Sequence, residues 1–184
     1  MKKALVLLAD GFEEVEALTP VDYLRRAGIE VKTVGVSGAI VEGGHGILVR
    51  ADMELSELST PVDCLVVPGG GKGADNLAAN AAVVDLIRRH FFSGGLVAAI
   101  CAAPAVVLHE ACGILSGRSF TGFPGTETRV TGAEFWKDRV VVDGNLITSR
   151  AAGCSGEFAY AIVEALVGKA AADELADRVL LADR

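Results

Sequence analysis

Residues 95–108 read GLVAAICAAPAVVL, and the change of character at the cysteine decides the fold. LVAAI (96–100) is a short, wholly apolar run, as expected of a strand buried on both faces of a sheet. From Ala102 to about Cys112 the sequence reads as a helix, with Pro104 near its start, where a missing N–H is tolerated. A strand that passes directly into a helix is half of a parallel βαβ unit.

The same alternation extends both ways. Toward the N-terminus lie a helix over 81–92, the strand DCLVVP (63–68) running into Gly69-Gly70-Gly71, and the strand VKTVGV (31–36). Before them come a helix from Glu13 to Ala27, stopped by Gly28, and a first strand ALVLLA (4–9). Residues 38–52 are Gly-rich with alternating Ile47 and Val49, a small hairpin or excursion outside the core. Toward the C-terminus the pattern is irregular up to Trp136, after which VVVDGNLIT (140–148) reads as a hairpin about Asp143-Gly144. A strongly amphipathic helix follows over Cys154–Val167, and a last one over 170–181. The order predicts an α/β fold, a flavodoxin-like three-layer sandwich with a mostly parallel sheet and helices on both faces, as one domain spanning 1–184.

Composition narrows the function. Seventeen Lys and Arg against 24 Asp and Glu give a net charge of −7, which argues against nucleic acid and anionic membrane surfaces as partners. The N-terminal MKKALVLLA has an apolar core shorter than a secretion signal and runs into DGFEE without a cleavage pattern. No apolar stretch is long enough to span a membrane. Cys64, Cys101, Cys112 and Cys154 form no CxxC pair and no zinc pattern with His45, His90 and His109, so they read as free thiols and no metal is expected. These features predict a cytoplasmic protein.

In open α/β sheets, sites lie beyond the carboxyl ends of the strands. Three such ends carry notable residues: Ala9-Asp10-Gly11, Pro68 to Gly71, and Ile100-Cys101-Ala102. Cys101 stands where a sharp strand-to-helix turn lifts a side chain above the sheet, resembling a nucleophile elbow. The helix N-terminus beside it predicts a thiol pKa well below the ordinary cysteine value. The alternative is a buried structural cysteine in an Ala-rich core.

Glu16 lies close to the face marked by Val15, Leu18 and Val21. Pro20 either kinks a continuous helix at the Glu16 carbonyl or opens a new helix capped by Thr19. A partly buried carboxyl beside a thiolate stays protonated, because two adjacent anions repel. In PGGGKGADN, Gly69, Gly71 and Ala74 match a dinucleotide fingerprint by spacing, but on a later strand than that fingerprint requires. A better use of these glycines is backbone N–H groups facing Cys101 as an oxyanion site. His109 is two helical turns from Cys101, and His90 ends a helix, so no Cys–His–Asp triad is placed.

LADGFEEVE, VVPGGGKGA, AAICAAPAVVL, TGFP and LITSRAAGCSGEFAYAIVEALVG resemble, in order and over essentially the whole chain, the ThiJ/PfpI superfamily, in particular the branch of the parkinsonism-associated protein and its bacterial relatives. The resemblance implies that Cys101 is the reactive cysteine, Glu16 its protonated partner, and Gly70 and Ala102 the backbone donors of an oxyanion pocket. It implies a homodimer with Glu14, Asp22 and Arg26 at or near the interface. Two positions depart from the pattern. Phe123 stands where some relatives carry a histidine, and His45 stands where relatives tend to have arginine, in a loop reaching the partner's site. The loop AAGCSGEF also places Cys154 close to the expected pocket. The implied activity is cysteine-dependent, cofactor-free chemistry on reactive dicarbonyls or glycated adducts, glyoxalase- or deglycase-like. The rival is a redox-sensing or chaperone role for an oxidisable Cys101; a peptidase is disfavoured without the histidine.

Overall fold

The computed structural model describes residues 1–58 and 61–181; residues 182–184 of the expected domain lie outside the described part. In chain order the elements are β1 (Lys3–Leu8), α1 (Glu14–Arg26), β2 (Glu30–Gly35), β3 (Ile40–Glu42), β4 (Leu48–Arg50), β5 (Met53–Glu54), β6 (Cys64–Val67), α2 (Gly71–Ala79), α3 (Ala81–Phe92) and β7 (Leu96–Ile100). A wide-turned π-type helix spans Pro104–Ala111, followed by β8 (Ser119–Phe120), β9 (Glu134–Phe135), β10 (Val140–Asp143), β11 (Leu146–Ser149), α4 (Ser155–Val167) and α5 (Lys169–Arg178).

Seven strands form one sheet in the order β10-β11-β7-β6-β1-β2-β5, parallel throughout except for the β10–β11 hairpin. Side chains alternate across it with period two. Ala4, Val6, Leu8, Cys64, Val66, Ala98 and Ile100 face one core with Ala17, Leu24, Phe158 and Ile162 from α1 and α4. Leu5, Leu7, Leu65, Val67, Val97 and Ala99 face the other, with Leu77, Ile87 and Leu108 from α2, α3 and the π-type helix. The flavodoxin-like three-layer arrangement is therefore present. Because β1, β6 and β7 are neighbours and parallel, their carboxyl ends share one edge, and residues 9–13, 68–70 and 101–103 meet there.

One open alternative is decided and two local readings are corrected. Helix α1 runs through Pro20, so the Glu16 carbonyl loses its helical N–H partner but no second helix begins. Its buried face is Glu14, Glu16, Ala17, Pro20, Val21 and Leu24, whereas Val15 is 49% exposed. The glycine run opens α2, which the low helix propensity of GKG conceals. Packing decides instead: Gly73 lies so close to the Phe12 backbone that a Cβ would sit 2.6 Å from the Phe12 Cα. Among the described residues no helix is long and apolar enough to cross a membrane.

Candidate active site

Cys101 has φ 65°, a left-handed conformation that a residue with a side chain rarely adopts. Both its backbone groups are held from elsewhere. Its N–H donates to the Ser149 carbonyl at the end of β11 (3.0 Å), and its carbonyl accepts the Phe123 N–H (2.8 Å). The strand-to-helix elbow is thus real, and it aims the sulfur at the edge where the three loops meet. There Sγ is hydrogen-bonded to the Glu16 carboxyl and faces the backbone N–H groups of Gly70 and Ala102.

Glu16 is only 1% exposed and accepts the Gly69 N–H on Oε2 at 2.9 Å. Gly69 cannot be larger, since a Cβ would lie 2.6 Å from the Cys101 Cβ and 2.7 Å from Glu16 Oε2. Burial pushes the Glu16 carboxyl up to about 7, against hydrogen bonds from Cys101 and the Gly69 N–H. Burial also pushes the Cys101 thiol up to about 12, with the Glu16 charge adding to the rise and the Gly70 and Ala102 N–H groups opposing it. The expected low thiol pKa is therefore corrected for Cys101 taken alone, because burial disfavours the anion and an ionised Glu16 repels it. The two groups are coupled, because an ionised Glu16 raises the thiol further, and a proton kept on Glu16 would let the carboxyl donate to a thiolate.

A cleft of ≈ 460 Å³ is lined by Asp10, Glu13, Glu42, His45, Gly70 and Lys72 among others, and of the residues around the sulfur only Gly70 borders it. Its far wall is the β3–β4 hairpin, docked on the first loop by Gly11 N–H to Glu42 carbonyl (2.7 Å) and Gly44 N–H to Phe12 carbonyl (2.8 Å). His45 sits over its own chain: its backbone N–H donates to Glu14 Oε1 and its ring Nδ1 lies on Glu14 Oε2, both at 2.8 Å. Glu14 is 4% exposed and is cradled by Gly43, where a Cβ would collide with the carboxyl. Burial alone would raise Glu14, but the His45 ring and N–H hold it below the usual carboxylate range. The Glu14 hydrogen bond and the charges of Glu13 and Glu14 raise His45.

The sequence matches the profile of the DJ-1/PfpI family over residues 2–165. The chain belongs to that family. It is 41% identical over 185 residues to Protein dj-1beta of Drosophila melanogaster, an alignment covering 98% of each chain. It is 34% identical over 154 residues to a protein named a deglycase from Pyrococcus abyssi, covering 82% of this chain and 91% of that one. The structure of Toxoplasma gondii DJ-1, described as oxidized, superimposes with a TM-score of 0.96 at 35% identity and full coverage of both chains.

In this DJ-1/PfpI chain the elbow, Glu16, Gly70 and Ala102 come together as the sequence suggested, whereas Glu14, Asp22, Phe123 and Cys154 need separate accounts. Within the chain, Glu14 is a buried partner of His45, and Asp22 pairs in the open with Arg26 at 2.6 Å. Phe123 is half exposed and contributes its backbone N–H to the elbow, not a proton donor in its side chain. Cys154 is buried just before α4, and all four cysteines are free thiols. His90 Nε2 lies on the Leu96 carbonyl of β7 at 3.0 Å, not on its own helix end. His109 Nε2 accepts the Thr131 N–H at 3.3 Å. Among the described residues one group could hold a metal: Glu13, Glu14 and His45, whose ligand atoms lie within 4.8 Å of one another. Its closest side, His45 Nδ1 to Glu14 Oε2, is already a hydrogen bond. The sequence reading missed Gly69 as the anchor of Glu16 and Glu14 as the anchor of His45. Neither has a local signal, since each contact joins segments distant in the chain.

Proposed function

We propose that this DJ-1/PfpI chain is a cofactor-independent enzyme that uses Cys101 on reactive dicarbonyls such as methylglyoxal, or on their early adducts with amines and thiols. The observation that carries this reading is the coupled Glu16–Cys101 pair facing two backbone N–H donors. The Cys101 thiolate adds to the aldehyde carbon, and the proton held by Glu16 passes to the aldehyde oxygen, whose developing charge the Gly70 and Ala102 N–H groups stabilise. The Glu16 carboxylate so formed removes the proton from C1 and returns it to C2 while the hydroxyl proton passes from the C1 oxygen to the C2 oxygen, which turns the hemithioacetal into a 2-hydroxyacyl thioester. Water then releases the hydroxy acid and the thiol. The relative named a deglycase supports the substrate class.

The same proposal includes one domain over 1–184, a cytoplasmic setting and a homodimer. Exposed Val15 on α1 and Ile47 and Leu48 by the hairpin support the dimer, because they leave apolar surface beside the cleft. A second reading, Cys101 as an oxidisable sensor, is favoured by Glu16, whose protonated form can donate to a sulfinate, and by the oxidized form of the Toxoplasma relative. Measuring lactate formed from methylglyoxal separates them. Turnover that disappears in Cys101→Ser supports the enzyme. Absence of turnover in wild type, with Cys101 oxidised stoichiometrically by peroxide, would establish the sensor in its place.

A further inference from the structure

We propose that Glu13 is a positioning residue for the chemistry at Cys101: its carboxylate, one helical turn before Glu16, keeps the transferable proton on Glu16 and so holds the acid form of that side chain against the sulfur. Its effect on turnover rests on the dicarbonyl reading above, whereas the placement of the proton does not. Glu13 is the N-cap of α1, and Glu16 is the third residue of that helix. Residues three apart are neighbours on a helix surface, so the two acids form a like-charge pair in the first turn. Both are tied to the same glycine. The Glu13 N–H donates to the Gly69 carbonyl at 3.0 Å, and the Gly69 N–H donates to Glu16 Oε2 at 2.9 Å. Gly70, whose N–H faces the Cys101 sulfur, is packed so closely that a Cβ there would sit 2.7 Å from the Glu13 nitrogen.

An acid at an N-cap is ordinarily explained by an oxygen that accepts the N–H of the second or third helical residue. Glu13 makes no such bond. Its carboxylate instead lines the cleft, 3.8 Å from His45 Nδ1. The Glu16 residue is 1% exposed and the Glu13 side chain 21%. Of two neighbouring acids the more buried one keeps its proton, because desolvation penalises its charge most. On Glu16 the Glu13 charge acts in the same direction as burial. The titratable groups facing Glu16 are Cys101 from the elbow and Glu13 from its own helix. Those around Glu13 are Glu14 and Glu16 from α1, His45 and Glu42 from the hairpin, Asp10 from the first loop and Lys72 from α2. As sulfur bonds to the aldehyde carbon, the carbonyl electron pair moves onto oxygen, which takes the Glu16 proton. Glu16 is then an anion beside Glu13, and that repulsion makes it a stronger base toward the proton on C1.

The test follows the Glu16 side-chain carboxyl by carbon-13 NMR in glutamate-labelled protein, its signal being identified by loss in Glu16→Gln. In wild type it titrates at about 7. Glu13→Gln moves the midpoint down by about half a pH unit, Glu13→Lys moves it about twice as far, and Glu13→Asp, which keeps the charge, stays within about 0.2 of wild type. At about pH 7.5 the acid form of Glu16, and lactate formation with it, falls about threefold in Glu13→Gln. A role confined to the helix dipole would lower stability and leave the midpoint in place. The proposal is overturned by an unmoved midpoint in a folded Glu13→Gln, by Glu13→Asp moving it as far as Glu13→Gln, or by a wild-type Glu16 already ionised at about pH 6. A moved midpoint in a protein that makes no lactate would sink the dicarbonyl reading and leave Glu13 as the residue that places the proton.

Discussion

The Gly69 N–H donates to Glu16 Oε2 at 2.9 Å, and this bond fixes the carboxyl that touches the Cys101 sulfur. The glycine is required by the contact itself. Gly69→Ala drives a methyl group into the Cys101 Cβ and Glu16 Oε2, so stability falls by about 1–3 kcal/mol. Turnover falls about 100-fold through misplacement of the pair. Urea melts and lactate assays check both; full activity in the variant would mean the pair tolerates displacement.

Glu16→Gln keeps an acceptor for the Gly69 N–H and can donate to sulfur, but cannot carry a proton between carbons. The fold is retained, and lactate formation drops by about 10²–10⁴-fold. Turnover equal to wild type would remove Glu16 from the proton path.

Of the four thiols, Cys101 alone is not buried, so iodoacetamide labels it before Cys64, Cys112 and Cys154. Its labelling rate rises with pH as thiolate forms. Cys112 stays slow because burial pushes its thiol up to about 11. Peptide mapping that finds Cys112 labelled first would contradict the assignment.

Glu16 also leaves a signature in stability. Its folded carboxyl is raised from 4.5 to about 7, so the folded state binds a proton more tightly than the unfolded chain. The contribution is fully present below pH 4.5 and is lost as pH rises toward 7, by up to about 3 kcal/mol for the buried group. Wild type therefore loses more stability than Glu16→Gln between pH 5 and pH 8, measured by denaturant titration. Parallel curves for the two proteins would show that Glu16 ionises without penalty.

The strands were legible because parallel-sheet strands are buried on both faces and appear as apolar runs, as in ALVLLA and LVAAI. Helix α2 was not, since its glycines serve close packing on Phe12 and depress the local propensity. The buried face of α1 was misjudged for a related reason. Two glutamates take inward positions that a hydrophobic pattern assigns to Val15 and Leu18, and only contacts with Gly69 and His45 make that burial tolerable. Cys101 announced itself by the abrupt change at residue 101, whereas the partners that tune it come from far along the chain.

The clamp on the elbow has a consequence for biosynthesis. The Cys101 N–H reaches its acceptor, Ser149, only when β11 has docked on β7. A nascent chain that has not yet extended past residue 149 holds the cysteine and Glu16 but lacks the strand that secures the turn. The completed reactive centre thus belongs to a late stage of synthesis, after nearly all the sheet has left the ribosome.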